Sequence, residues 1–120
     1  MQDQDDKIIK NLYVLLIDTL NLMIFKSSNK IEEQNELIEF NLKELEGDYY
    51  TFINPINIEK LYSNNYVTSE NRTQLLQLFN LINNINSEKW NTASFLSDRE
   101  WKQIGILSNE VLLALNSKTN

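Results

Sequence analysis

The chain contains no cysteine and no histidine. The first absence excludes disulfide scaffolds and thiolate metal sites, and the second excludes imidazole metal sites. Together they remove every nucleophile activated by a histidine base. Glycine and proline are nearly missing, at two and one in 120 residues, and no Gly/Ser/Pro-rich linker divides the chain. With Gly47 and Gly105 as its only glycines, the chain has no Gly-x-x-x-x-Gly-Lys phosphate loop and no Asp-x-Asp-x-Asp-Gly calcium loop. A di-iron carboxylate bundle needs Glu-x-x-His motifs and falls with the histidines. Positive charge is scarce: 11 lysines and arginines against 17 acids give a net charge of −6 and a pI near 4.6. That is the wrong sign for gripping a nucleic-acid backbone or an anionic membrane. The longest apolar run, Leu12 to Ile17, is six residues, where a membrane span needs about 20. The acidic start, Met1-Gln2-Asp3-Gln4-Asp5-Asp6, has neither the basic character of a secretory signal nor that of a transit peptide. These absences predict a cytoplasmic protein with no cofactor, no membrane partner and no nucleic-acid partner.

What is present fits a globule. The chain is 42% hydrophobic and 23% charged, unlike a disordered acidic tail, and its length suits a single helical domain over residues 1–120. Area scaling predicts roughly 6,800 Å² exposed after folding. Asparagine (18), isoleucine (13) and lysine (nine) make up a third of the residues, the signature of AT-rich coding. The asparagines are scattered, which separates them from prion-like tracts.

Helical spacing dominates. A first helix is predicted from about Asp5 to Ile24, with Ile8, Leu12, Leu15, Leu16, Thr19 and Met23 in register. Tyr13, Val14 and Ile17 make its middle apolar nearly all round, as in a central helix covered on more than one side. After a loop over Lys26 to Asn29, a second helix is predicted to open at Asn29, with Glu32 as capping-box partner, and to stop at Gly47. Ile31, Ile38, Leu42 and Leu45 line one side of it. Asn54-Pro55 announces a short third helix carrying Ile58, Leu61 and Tyr62 and ending at Asn64-Asn65. A fourth begins at Thr68 or Ser69 and uses Leu75, Leu78, Phe79, Ile82 and Ile85. Ser87 to Ser94 is open, with a helical turn around Trp90 as one option. The last helix is predicted to start at a Ser97/Glu100 capping box with a Leu96–Trp101 staple, and to bury Trp101, Ile104, Val111 and Leu115. The expected fold is all-α: an antiparallel bundle or irregular α-domain of four long helices plus one short helix. Tyr49 to Ile53, whose residue types favour strands, is the one segment with a β alternative.

Charge is unevenly distributed. Residues 30–48 hold Glu32, Glu33, Glu36, Glu39, Glu44, Glu46 and Asp48 against Lys30 and Lys43. At about 100° per residue, Glu32, Glu36, Glu39 and Glu46 fall within about 40° of one line, interrupted by Lys43. Like charges three or four residues apart each destabilise a helix by roughly 0.2–0.5 kcal/mol. Two readings stand: a solvated face, or an interface in which the line, extended by Asp48, Tyr49 and Tyr50, meets a basic partner. Acids would steer the encounter and tyrosines would anchor it. One tyrosine of the pair, with Phe52, is expected to cap the core while the other is less easily buried. Trp90 is read as a lid on the core, with an interfacial position as the alternative.

Small, acidic, cysteine-free helical domains of this kind resemble bacterial toxin-immunity proteins, which bind a cognate toxin and block its active site or substrate path. Asp48-Tyr49-Tyr50 is similar to the acidic-plus-tyrosine-pair segment with which colicin-nuclease immunity proteins contact their toxin. Those proteins follow the pair with proline, where this chain has Thr51. The resemblance implies a non-enzymatic inhibitor of a basic toxin such as a nuclease, with Glu32, Glu36, Glu39, Glu46, Asp48, Tyr49 and Tyr50 as partner-binding residues. The alternatives are a structural or regulatory helical module that self-associates through its first or last helix, and a small enzyme using carboxylates alone.

Overall fold

The computed structural model describes the backbone of residues 2–24 and 31–118 and the side chains of residues 6–24 and 34–116. Among them are six α-helices and no strand: α1 (Gln2–Leu22), α2 (Ile31–Phe52), α3 (Pro55–Ser63), α4 (Ser69–Asn83), α5 (Thr92–Ser97) and α6 (Arg99–Lys118), with a 3-10 turn at Ser87–Lys89. The fold is all-α. The predicted loop at Lys26 to Asn29 and the Asn29/Glu32 cap lie outside the described residues.

The four long helices form a closed ring of neighbours, since α1 packs on α2, α2 on α4, α4 on α6 and α6 back on α1. Each short helix ties a diagonal pair: α3 touches α1 and α4, and α5 touches α2 and α6. The ring encloses one cluster of buried side chains. Ile38, Leu42 and Leu45 of α2 are buried, as are Ile58 and Leu61 of α3 and Leu75, Leu78, Phe79 and Ile82 of α4. Helix α6 adds Trp101, Ile104, Val111, Leu112 and Leu115. On α1, Leu16, Thr19 and Leu20 are buried, with Met23 buried just past its end, but Ile8 and Val14 stay exposed, so its cover is incomplete. The surface, 7784 Å², exceeds the roughly 6,800 Å² that scaling predicts, in keeping with an elongated body of 47 × 28 × 24 Å.

Helix α2 does not stop at Gly47. It runs on through Asp48, Tyr49 and Tyr50 to Phe52, which also removes the strand alternative for Tyr49 to Ile53. Gly47 has no positive φ, so it is not a left-handed cap. The helix ends where Pro55 forces Asn54 into extended backbone (φ −69°, ψ 161°). Its last carbonyls are satisfied by asparagine amides instead of a glycine turn. Asn54 Nδ2 donates to Tyr50 O at 2.9 Å and Thr51 O at 3.2 Å, while Asn57 Nδ2 donates to Thr51 O at 2.8 Å. The Asn54 carbonyl oxygen meanwhile accepts from Asn57 N at 3.0 Å, capping α3.

The start of α6 also shifts. Its N-cap is Asp98, not Ser97: Asp98 Oδ1 accepts from Glu100 N at 2.8 Å, and the Asp98 carbonyl accepts the first helical bond from Lys102 N. Ser97 closes α5 instead, its hydroxyl donating to Ala93 O. With the cap moved by one residue, Leu96 and Trp101 no longer stand at staple positions. Trp101 is held by its own indole N–H, which donates to Lys89 O at 2.8 Å. The fourth helix begins as expected at Thr68, whose hydroxyl accepts from Asn71 N while Asn71 Oδ1 accepts from Thr68 N. Among the described residues, no helix is long and apolar enough to cross a membrane.

Candidate functional site

Continuity of α2 through Gly47 changes the geometry of the predicted site. Counting on at about 100° per residue, Tyr50 falls within about 40° of Glu36, Glu39 and Glu46. All four are exposed, Tyr50 at 62%. The line is broken by Lys43, whose Nζ lies 3.9 Å from Glu39 Oε1 with both side chains largely in water. An exposed i,i+4 pair of that kind is worth only about 0.3–0.5 kcal/mol, so it leaves the carboxylates available. The side chain of Glu32 lies outside the described residues.

Tyr50 is exposed but not loose. Its ring sits 5.8 Å from that of Phe79 on α4 and edge-on to Tyr49 at 6.2 Å. A ring already braced in this way loses little rotamer freedom on binding. Tyr49 turns off the line and inward, as expected for one member of the pair. Its hydroxyl donates to Asn83 Oδ1 at 3.2 Å, and its ring stacks on Trp90 at 5.8 Å with 27° between planes. Burial raises the Tyr49 phenol above its usual pKa, with the neighbouring Tyr50 and Glu46 adding to the effect.

Trp90 does two things. It meets Trp101 edge-on at 4.9 Å, so it does lie over the core as a lid. It also forms one wall of a groove of about 270 Å³ whose other wall is Glu39, Leu42, Lys43 and Glu46 of α2, closed off by Asn91 and Thr92. The segment carrying Trp90 is pinned to α6. Lys89 Nζ reaches Asp98 Oδ2 at 3.2 Å and Glu100 Oε1 at 3.0 Å. Those two carboxylates raise the Lys89 pKa, Glu100 contributing most. The Asp98 carboxyl is held below the usual range, first by the Glu100 backbone N–H and then by Lys89. Carboxylates on α2 and an aromatic ring from a distant segment are thereby brought to one concave surface.

Asp48 goes elsewhere. It lies roughly 160° round α2 from Glu32 and lines a different groove, against α1, with Glu44 of α2 and Asp18 of α1. Sequence spacing therefore joins Tyr50 to the glutamate line and takes Asp48 and Tyr49 out of it. Among the described residues no group of three or more acids has an arrangement that could hold a metal ion. A further cavity of about 480 Å³ between Ile24, Leu96 and Ile106 is mostly apolar, its polar side chains being Lys102 and Asn109.

Two side chains of the surface were not singled out from the sequence, Leu37 and Phe40, exposed apolar groups on α2 at 46% and 60%. Both had a readable signal. On a helix whose buried stripe is Ile38, Leu42 and Leu45, positions 37 and 40 fall outside it. For Trp90 the sequence left lid and interfacial positions open, and its place in the groove wall depends on the Lys89 contacts to α6. Comparison with protein-family models, with curated proteins and with solved structures finds no match for this chain.

Proposed function

We propose that this chain is a protein-binding inhibitor of the immunity type, acting in the cytoplasm on a basic toxin domain such as a nuclease. The observation that carries the reading is the alignment of braced, exposed Tyr50 with the exposed carboxylates of Glu36, Glu39 and Glu46 on one uninterrupted helix. A surface kept acidic only for solubility gains nothing from an exposed aromatic ring supported from beneath. A docking surface gains an anchor at low entropic cost, ringed by charges that steer a cationic partner. A nuclease tracks a polyanion with a basic cleft, and a row of carboxylates occupying that cleft excludes substrate by competition. The Trp90 groove beside Glu39 and Glu46 then receives a side chain of the partner.

The test begins with the flanking genes: a basic protein encoded there is titrated with this chain, with salt varied. Glu36→Lys/Glu39→Lys is expected to weaken binding by about tenfold or more, roughly 1.4 kcal/mol, and to flatten its salt dependence. Unchanged affinity removes this face as the site. A second reading, self-association, draws on Ile106 and Leu113, both exposed and seven residues apart on α6. Sedimentation at micromolar concentration separates the two, since only the self-associating module must sediment as more than a monomer.

A further inference from the structure

The opposite flank of α2 borders a second groove. Between α1 and α2 runs a groove of about 270 Å³ whose apolar part is Leu15, Leu22, Phe40 and Phe52 and whose charged part is Asp18, Glu44 and Asp48. Phe40 is 60% exposed and Leu15 37%. The one buried hydroxyl there, that of Thr19, is already used, donating to Leu15 O at 2.7 Å. Among the described residues that line it there is no lysine or arginine, in contrast to the Lys43-interrupted flank. The acids stand on both walls, Asp18 on α1 and Glu44 and Asp48 on α2, yet they do not form a metal-holding group. Three separated negative charges around an apolar floor suit several separate cationic groups better than one bound ion. The space is also below the roughly 300–1,000 Å³ of small-molecule and cofactor pockets, so it fits side chains.

We infer that this groove receives a basic amphipathic segment of a protein partner, an aliphatic side chain entering over Phe40 and Leu15 while flanking lysines or arginines reach Asp18, Glu44 and Asp48. Complementarity of charge selects the cationic flanks, and the exposed ring selects the apolar anchor between them. This rests on reading the chain as a docking protein, but it uses residues that the Glu36–Tyr50 face does not contain.

The probe is a short synthetic lysine–leucine peptide with its leucines at helical i, i+3, i+4 spacing, set against a peptide of the same composition with the leucines scattered. Binding is followed by backbone amide shifts of the isotopically labelled chain. The expected result is saturable binding with shifts centred on Leu15, Asp18, Phe40 and Glu44. Affinity falls about tenfold or more, the equivalent of roughly 1.4 kcal/mol, in Phe40→Ala and in Asp18→Asn/Glu44→Gln/Asp48→Asn. The two variants report on the floor and the rim independently, and circular dichroism confirms the helicity of each. Equal binding of the scattered peptide overturns the inference, as do shifts confined to the Glu36–Tyr50 flank or full affinity in Phe40→Ala. None of these removes the Glu36–Tyr50 face, whose own double reversal fails or succeeds separately.

Discussion

Helices α2 and α6 are almost the same length, 22 and 20 residues, yet they divide the work of the molecule between them. Helix α6 buries an unbroken stripe of Trp101, Ile104, Ser108, Val111, Leu112 and Leu115, and its charges are mixed, three basic residues with two acids. Helix α2 buries Ile38, Leu42 and Leu45, carries seven acids with one lysine, and leaves Leu37, Phe40 and Tyr50 in water. One helix buries a wide stripe and the other a narrow one, though α6 too leaves Ile106 and Leu113 exposed. A helix that faces its neighbours with only a narrow stripe has most of its circumference exposed to solvent. It must then be held from its ends and flanks, which here fall to Asn54, Asn57, Phe79 and the Trp90 segment.

The contrast breaks most readily at Trp101. Trp101→Ala removes the largest fully buried side chain of α6 and the indole bond to Lys89 O, and should lower unfolding free energy by about 3–5 kcal/mol. Phe40→Ala on α2 should stay within about 0.5 kcal/mol, as surface changes do. Comparable losses in chemical denaturation would mean that α2 is as much a packing helix as α6. Ser108→Ala comes next. The buried hydroxyl donates to Leu20 O across the α1–α6 seam at 2.7 Å; because Leu20 O also accepts from Met23 N at 3.2 Å, its loss should reduce stability by about 0.5–1.5 kcal/mol in the same assay.

Gly47→Ala sharpens the comparison from the other side and has the opposite sign. A Cβ there meets nothing within 4 Å, and the backbone has no positive φ. Alanine should therefore stabilise α2 by about 0.5–1 kcal/mol, raising the melting midpoint. Destabilisation would mean that α2 does end at Gly47 and that Tyr50 leaves the glutamate line. The smallest effect is at Asp98. Its folded pKa is depressed, so its contribution is complete at neutral pH and is lost as pH falls below the ordinary aspartate value, about 3.9, through the lower folded value. Asp98→Asn keeps an acceptor for the Glu100 N–H but does not titrate. The drop in denaturant midpoint between pH 7 and pH 3 should therefore be smaller in the variant, measured by urea titration at both values.

Much of α4 and α6 was legible from spacing alone, because a stripe of Leu75, Leu78, Phe79, Ile82 or of Trp101, Ile104, Val111, Leu115 needs only the helical period to be recognised. The same spacing found the glutamate line and the buried stripe of α2. It misjudged two ends. Gly47 reads as a terminator only if nothing else can satisfy the carbonyls that follow it, and here Asn54 and Asn57 do. Ser97 and Glu100 read as a capping pair, but Asp98 takes the cap and Glu100 turns to Lys89. Of the candidate site, Tyr50 belongs to the line for a reason invisible when the helix is assumed to stop, and Asp48 leaves it for the same reason.

From residue types and their intervals follow the absence of thiol and imidazole chemistry, the all-helical class, the concentration of negative charge in one segment and the faces that turn inward. All of these are local quantities, set by composition and by a period of 3.6 residues. Where α2 and α6 begin or end, which ring braces Tyr50, and which walls flank α2 on either side were decided only when the chain closed on itself. Those outcomes depend on hydrogen-bond partners and rings delivered from other elements, and no interval along the chain records their arrival.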